Sequence, residues 1–262
     1  MSPRPSLEIA VVSPAGARTA RENGADRVEL CTALELGGLT PSTAAVEAAV
    51  ESGPPVHVLV RCRPGDFVYD AEEIALMAAE VRSALRAGAR GVVVGALTAD
   101  GGLDTSALTA LADAAGDTDP AAQITLHRAV DQAADPVAAV AALPRLGITR
   151  VLTSGGAPTA IEGSTVPAAM AAAAPGVDVA AGGGVRPDDI AALLAAGATS
   201  VHLSAKTRAT PRRAVGWVPL GAGGTSADDD THFLTDGTVV AAARRALDDA
   251  AARSEEVPGT PR

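Results

Sequence analysis

Four times along the chain, a glycine at the end of a helical stretch launches an apolar run of one form, x-G-[AI]-x-x-V-x-[LVT]. The copies are NGADRVEL, AGARGVVV, LGITRVLT and AGATSVHL, with glycines Gly24, Gly88, Gly147 and Gly197 standing 64, 59 and 50 residues apart. A strand-plus-helix unit needs about 30 residues, so each interval holds two units. The pattern predicts eight strands, every second one introduced the same way. It points to a TIM-type (β/α)8 barrel, an α/β fold whose chemistry sits at the carboxyl ends of the strands.

Length and composition fit one domain over residues 1–253, with a disordered tail over 254–262. The 262 residues are close to the roughly 250 of such barrels, and 47% hydrophobic content suffices for a large core. Aromatics make up only 2%, so Ala, Val, Leu and Ile must fill it. A net charge of −10 argues against nucleic-acid or anionic-membrane surfaces. Arg208, Arg212 and Arg213, in a Pro-containing loop, read as a solvated face. No opening segment is built like a signal peptide, and no apolar run approaches the roughly 18 residues that span a bilayer. A cytoplasmic location is expected. In a reducing compartment Cys31 and Cys62 stay unpaired.

Short apolar runs at residues 7–12, 56–61, 124–129 and 177–182 supply the odd strands, as expected of strands buried on both faces. Helices are predicted over residues 14–23, 43–51, 71–87, 105–115, 136–146, 157–174, 187–196 and 237–252. Ser13 before Pro14 and Asp135 before Pro136 are N-cap signals. Residues 206–230, rich in Gly, Pro, Ser and Asp, read as a long excursion before the last helix.

Strand side chains alternate faces. If Leu7, Ile9, Val28, Leu30, Val58, Val60, Ile124, Leu126, Val201 and Leu203 meet the helices, then the opposite parity enters the barrel. That set holds Glu8, Ala10, Glu29, Cys31, His57, Arg61, Thr125, His127, His202 and Ser204. Burying charge is costly unless it is paired, so a core built for stability alone would not collect these groups. Glu8, Glu29 and Arg61 read either as a self-satisfied ion cluster or as acid and base groups with separated pKa values. His57, earliest in its strand, reads as a core histidine. The copies AGARGVVV and LGITRVLT put nothing ionisable inside.

The loops after the strands add chemistry. Arg61-Cys62-Arg63-Pro64-Gly65-Asp66-Phe67-Val68-Tyr69 combines two cations, a carboxylate and two aromatics, suited to clamping an anionic or hydroxylated ligand. His127-Arg128-Ala129-Val130-Asp131 offers an acid or base with Asp131 to orient it. Thr153-Ser154-Gly155-Gly156, Gly182-Gly183-Gly184-Val185 and Ser204-Ala205 bring small residues to the last three loops. There they form either a phosphate seat or tight turns. Gly37 to Ser42 is ambiguous, since Thr40 or Ser42 can cap the next helix. The candidate set is therefore Glu8, Glu29, Arg61, Asp66, His127 and Asp131 for catalysis. Arg63, Arg128, Ser154, Gly155, Gly183, Gly184, His202 and Ser204 are the candidates for anion binding.

Taken together and in this order, these motifs resemble the CutC family, named for a proposed role in copper homeostasis. The matching pieces are Leu7-Glu8-Ile9, Arg27 to Cys31, Gly37 to Ser42, Arg61 to Tyr69, His127-Arg128-Ala129 with Asp131, Arg150 to Gly155, Gly182 to Val185, and Val201-His202 with Ser204-Ala205. The resemblance implies a cytosolic TIM-type barrel that forms homodimers or larger homo-oligomers, with copper as its cofactor or cargo and Cys31 as a candidate Cu(I) ligand. Family members commonly carry Cys where this chain has Ala10, Pro at Cys62 and Gly at Pro64. A two-thiol site from the first two strands therefore lacks one ligand here.

Three functions stay open on the sequence: an isomerase- or lyase-type enzyme for a small anionic or phosphorylated metabolite, a copper-binding protein, and a barrel with a vestigial site. In the enzyme, Glu8, Glu29 or His127 would move the proton and Arg61 would stabilise charge. Lys206, the single lysine, lies past the eighth strand, which argues against Schiff-base chemistry.

Overall fold

The computed structural model describes residues 4–210 and 232–256. Eight parallel strands close into a barrel in sequence order: β1 (Ser6–Val11), β2 (Arg27–Leu30), β3 (Val56–Leu59), β4 (Gly91–Val94), β5 (Gln123–Leu126), β6 (Arg150–Thr153), β7 (Asp178–Gly182) and β8 (Ser200–Leu203). Outside them lie α1 (Pro14–Glu22), α2 (Thr43–Glu51), α3 (Ala71–Arg86), α4 (Thr105–Gly116), α5 (Pro136–Val140), α6 (Pro167–Ala173), α7 (Ile190–Ala195) and α8 (Gly237–Glu256). All four glycine launches precede even strands, as the spacing predicts, and each takes a positive φ that turns the chain from helix into strand.

The parity assignment holds. Leu7, Ile9, Val28, Leu30, Val58, Ile124, Leu126, Val201 and Leu203 are buried in the main core between barrel and helices. α8 covers the seam beside β1 with Val240, Ala243 and Leu247, and Arg244 reaches Asp26 at 2.9 Å. The capping signals are used: Ser13 accepts from the Gly16 amide and Asp135 from those of Val137 and Ala138. Ser42, not Thr40, caps α2, while Thr40 Oγ1 donates to Glu80 and accepts from the Arg61 amide.

Three helices are shorter than the sequence suggests. The helix expected over 136–146 is α5 followed by a 3-10 turn, Leu143–Leu146, because Pro144 cannot donate in an α-helical ladder. The one expected over 187–196 opens as a 3-10 turn, Pro187–Asp189. Of residues 157–174, only 167–173 are α-helical. The preceding stretch is tied to the barrel rim instead, with the Ala160 amide on the Gly183 carbonyl at 2.8 Å and Gly163 packed backbone to backbone on Gly155. The excursion carries its own breakers, Pro158, Gly163, Ser164 and Thr165, and the helix expected over it belongs to the alanine run that starts at Ala168.

Within the expected excursion after β8, β9 (Lys206–Arg208) pairs antiparallel with β10 (Phe233–Thr235), and the Lys206 ammonium lies 4.4 Å from the Phe233 ring centre. Arg212 and Arg213 lie outside the described residues, as do residues 257–262 of the expected tail; α8 itself runs to Glu256. No described helix is long and apolar enough to cross a membrane.

Candidate functional site

Around the ring the strand register advances by eight residues, so inward side chains stack in layers of four drawn from alternate strands. From the amino to the carboxyl end, the first layer is Arg27, Gly91, Arg150 and Ser200. The second is Glu8, His57, Thr125 and Ala180. The third is Glu29, Val93, Leu152 and His202, and the fourth is Ala10, Leu59, His127 and Gly182. Ionic groups thus fill the lower layers, and one histidine faces the mouth.

Glu8, with no exposed surface, is the hub of the lower cluster. Arg27 pairs with it from the first layer, Arg150 Nη2 stands 4.0 Å from Oε1, and His202 Nδ1 hydrogen-bonds to Oε1 at 2.8 Å. Burial favours the neutral acid, but the two guanidiniums and His202 outweigh it and hold Glu8 well below the usual carboxylate range. Arg150 also pairs with Asp178, which accepts from Ser200 Oγ at 3.0 Å. Glu29 has a weaker anchor. Its Oε2 lies 4.0 Å from His202 Nδ1 without a hydrogen bond, and burial pushes its carboxyl up. Burial opposes the charge on His202, yet Glu8 and Glu29 raise its pKa. Glu29 and His202 are thus both shifted toward their protonated forms, one layer beneath the mouth.

At the mouth, β5 ends at Leu126 and His127 caps the 3-10 turn Arg128–Gln132 that follows. Its Nδ1 accepts from the Ala129 amide at 3.1 Å, while Nε2 is buried without a partner. Gly95 makes the space: a Cβ there would stand 2.3 Å from the imidazole Cε1. Phe67 lies over the ring at 5.0 Å between centroids. Burial and the Arg61 charge lower the pKa of His127 to about 3, so the ring is neutral.

Arg61 is 6% exposed. It donates to the carbonyls of Leu36 (2.9 Å), Gly38 (3.1 Å) and Gly65 (2.8 Å), and its Cζ lies 5.1 Å from the Phe67 centroid. These bonds knit the β2 and β3 loops together. Nε stays unpartnered, and no carboxylate among the described residues pairs with this guanidinium. Across the mouth, Arg128 bonds Asp131 and Ser154 Oγ, both at 2.8 Å, and its guanidinium lies against Gly183. Gly155, Gly183 and Gly184 all take positive φ, and the Ser154 amide bonds Asp131.

Several expectations need correction. Arg61 does not join Glu8 and Glu29; Arg27 and Arg150 are their cations. LGITRVLT does carry an ionisable group inward, Arg150, which shares the parity of Leu152. The rule that placed Glu29 inside also places Arg27, so the signal for both arginines was present. Asp131 does not orient His127: it accepts from Arg128, Thr153 (2.5 Å), Ser154 and Gly156, and so locks the β6 loop. Asp66 is exposed and pairs with Arg63, which is itself held by Glu73 in the capping box of α3. Neither faces the barrel interior. Ser204, just beyond β8, is half-buried.

Copper fits these residues poorly. Cys31 packs inside with Leu59 and Val93, whereas Cys62 packs against the helix-facing core, so the two thiols serve different compartments. Burial and the Glu29 and Glu35 carboxylates push the Cys31 thiol far up, away from the thiolate that Cu(I) prefers. Glu8, Glu29 and His202 bring three donor atoms within 4.8 Å of one another. That set is hard rather than soft, and Arg27 and Arg150 already neutralise Glu8.

The family model described as CutC family matches residues 6–207. A CutC family protein from Aliivibrio fischeri is 37% identical over 92% of this chain and 98% of its own length. Another from Agrobacterium fabrum is 44% identical over 72% of this chain and 74% of its own. Among solved structures, a Streptococcus agalactiae protein named for copper homeostasis, CutC, superposes with TM-score 0.70 at 27% identity, over 76% of this chain and 98% of that one. Thiamine phosphate pyrophosphorylase from Pyrococcus furiosus, at 14% identity and TM-score 0.54, covers 94% of this chain and 96% of its own, and shares the fold alone.

Proposed function

The chain belongs to the CutC family, and we propose that it is a cytoplasmic barrel enzyme binding a small anionic, phosphorylated metabolite at its carboxyl-end mouth for acid–base isomerase or lyase chemistry. The observation that carries this reading is Arg61: a guanidinium held almost fully from water, whose partners among the described residues, three carbonyls and the Phe67 ring, are all neutral. A buried charge without a counter-charge is costly, and an anionic ligand would supply one. Arg128, Ser154 and the backbone at Gly183 and Gly184 supply the opposite rim, where positive-φ glycines let amides approach a phosphate. Below them Glu29, its carboxyl pushed up by burial and 4.0 Å from His202, is the group suited to carry an exchangeable proton. Copper remains the association of the family's name, and no step here uses it. Association into a homodimer or larger assembly goes with the family reading, and sedimentation velocity checks it.

Thermal unfolding with inorganic phosphate and with a panel of phosphorylated hydroxy-aldehydes and hydroxy-ketones tests the site. Phosphate compounds should raise Tm; Arg128→Ala should shrink the rise at a given concentration and Gly183→Leu should abolish it. No shift with any of them overturns the reading. Competition against a Cu(I) chelator tests the alternative, which requires tight stoichiometric copper that Cys31→Ser releases.

A further inference from the structure

The tautomer of His127 follows from one contact. A backbone amide can only donate, so when the Ala129 N–H points at Nδ1 from 3.1 Å, Nδ1 must carry a lone pair. In a neutral ring the proton is then on Nε2, the nitrogen left buried without a partner. We propose that His127 serves the mouth as an uncharged Nε2–H donor to a carbonyl oxygen of the bound ligand, and to the oxyanion that develops there, rather than as a base. This rests on the mouth-site reading above and narrows it to ligands that carry a carbonyl beside their anionic group.

Three features support the assignment. The ring is held by the cap to Ala129 and by Phe67, and it occupies space that a side chain at Gly95 would fill. A donor held in place before reaction stabilises a developing negative charge without reorganising. Burial first, and the Arg61 charge second, keep the imidazole from protonating, and an imidazole polarises an oxygen without needing a charge of its own. Finally, the proton-transfer role has another occupant. Glu29 sits one layer below His127, its carboxyl raised by burial and next to His202, which suits it to exchange a proton with a carbon adjacent to the polarised carbonyl.

The test is nitrogen-15 NMR of the full chain labelled at histidine. The chain has four histidines, and His127→Gln assigns the resonance. The expected spectrum shows an Nε2–H tautomer for His127 that stays neutral from about pH 8 down to about pH 5. An Nδ1–H tautomer, or a ring that charges within that range, overturns the proposal. Dihydroxyacetone phosphate, a phosphorylated ketone, should shift the Nε2 proton downfield, and inorganic phosphate should leave it in place. If both compounds raise Tm but neither moves that proton, the mouth binds anions and the donor role fails. If neither raises Tm, the mouth reading fails and takes this one with it.

Discussion

Two regions of the barrel interior hold similar numbers of polar side chains and treat them in opposite ways. In the lower layers Glu8, Arg27, Arg150 and Asp178 answer one another's charge, although Arg150 Nε and Nη2 keep no hydrogen-bond partner. At the mouth His127 Nε2 and Arg61 Nε are buried without partners, and Arg61 has no carboxylate among the described residues. Both regions keep buried atoms without hydrogen-bond partners, so the difference lies in the charges: the lower cluster pairs its own, and the proposed anion site rests on an arginine that does not. Polarity and hydrogen-bond saturation do not distinguish the two; charge pairing does. Glu29 and His202 form the boundary, 4.0 Å apart without a hydrogen bond.

The largest expected effect is on the charge-paired side. Glu8→Ala leaves two buried guanidiniums facing each other's charge and should cost about 3–5 kcal/mol in urea unfolding. A loss below about 1 kcal/mol would break the claim that this cluster balances internally.

Acid titration comes next and involves both regions. Burial lowers His57 to about 4 and His127 to about 3, so each folded ring stays neutral while the unfolded chain protonates below about pH 6.5. Each therefore removes about 1.4 kcal/mol of stability per pH unit as the pH falls from about 6.5 toward its folded value. His202 and Glu29, both raised, act with the opposite sign: their stabilisation is full below the unfolded pKa and is lost as pH rises through the folded one. Stability should thus fall on both sides of an optimum, and His57→Gln should make the acid slope shallower. An unchanged slope would mean that the ring is charged in the fold.

Smaller still is the effect of Arg128→Ala. Its guanidinium is 41% exposed, so unfolding stability should change by about 0.5 kcal/mol or less, while phosphate affinity falls about tenfold by calorimetry. Asp66→Asn is the control, expected to change stability by less than about 0.5 kcal/mol and phosphate binding not at all.

The glycine spacing and the strand parity made the barrel legible from the sequence, because strand count and facing depend on local periodicity. Pairings were not legible. Parity puts Arg61 on the same side as Glu8, but only the register shows that it lies beyond the fourth layer while Arg27 and Arg150 lie in the first. Nor does adjacency of Asp131 to His127 along the chain survive the 3-10 turn, which points Asp131 at the β6 loop and gives the cap to His127 itself. The rim excursion before α6 is missed when the alanine run of α6 is extended backward across Pro158 and Gly163, residues that favour a turn.

The central claim, that the mouth takes an anion and the lower cluster does not, is tested most directly by anomalous diffraction from crystals soaked in selenate. A selenium peak within hydrogen-bonding reach of Arg128, Ser154 and the Gly183 backbone is the predicted result. Selenium bound only at the amino-terminal end, beside Arg27 and Arg90 in the open depression there, or no peak at all, would contradict it.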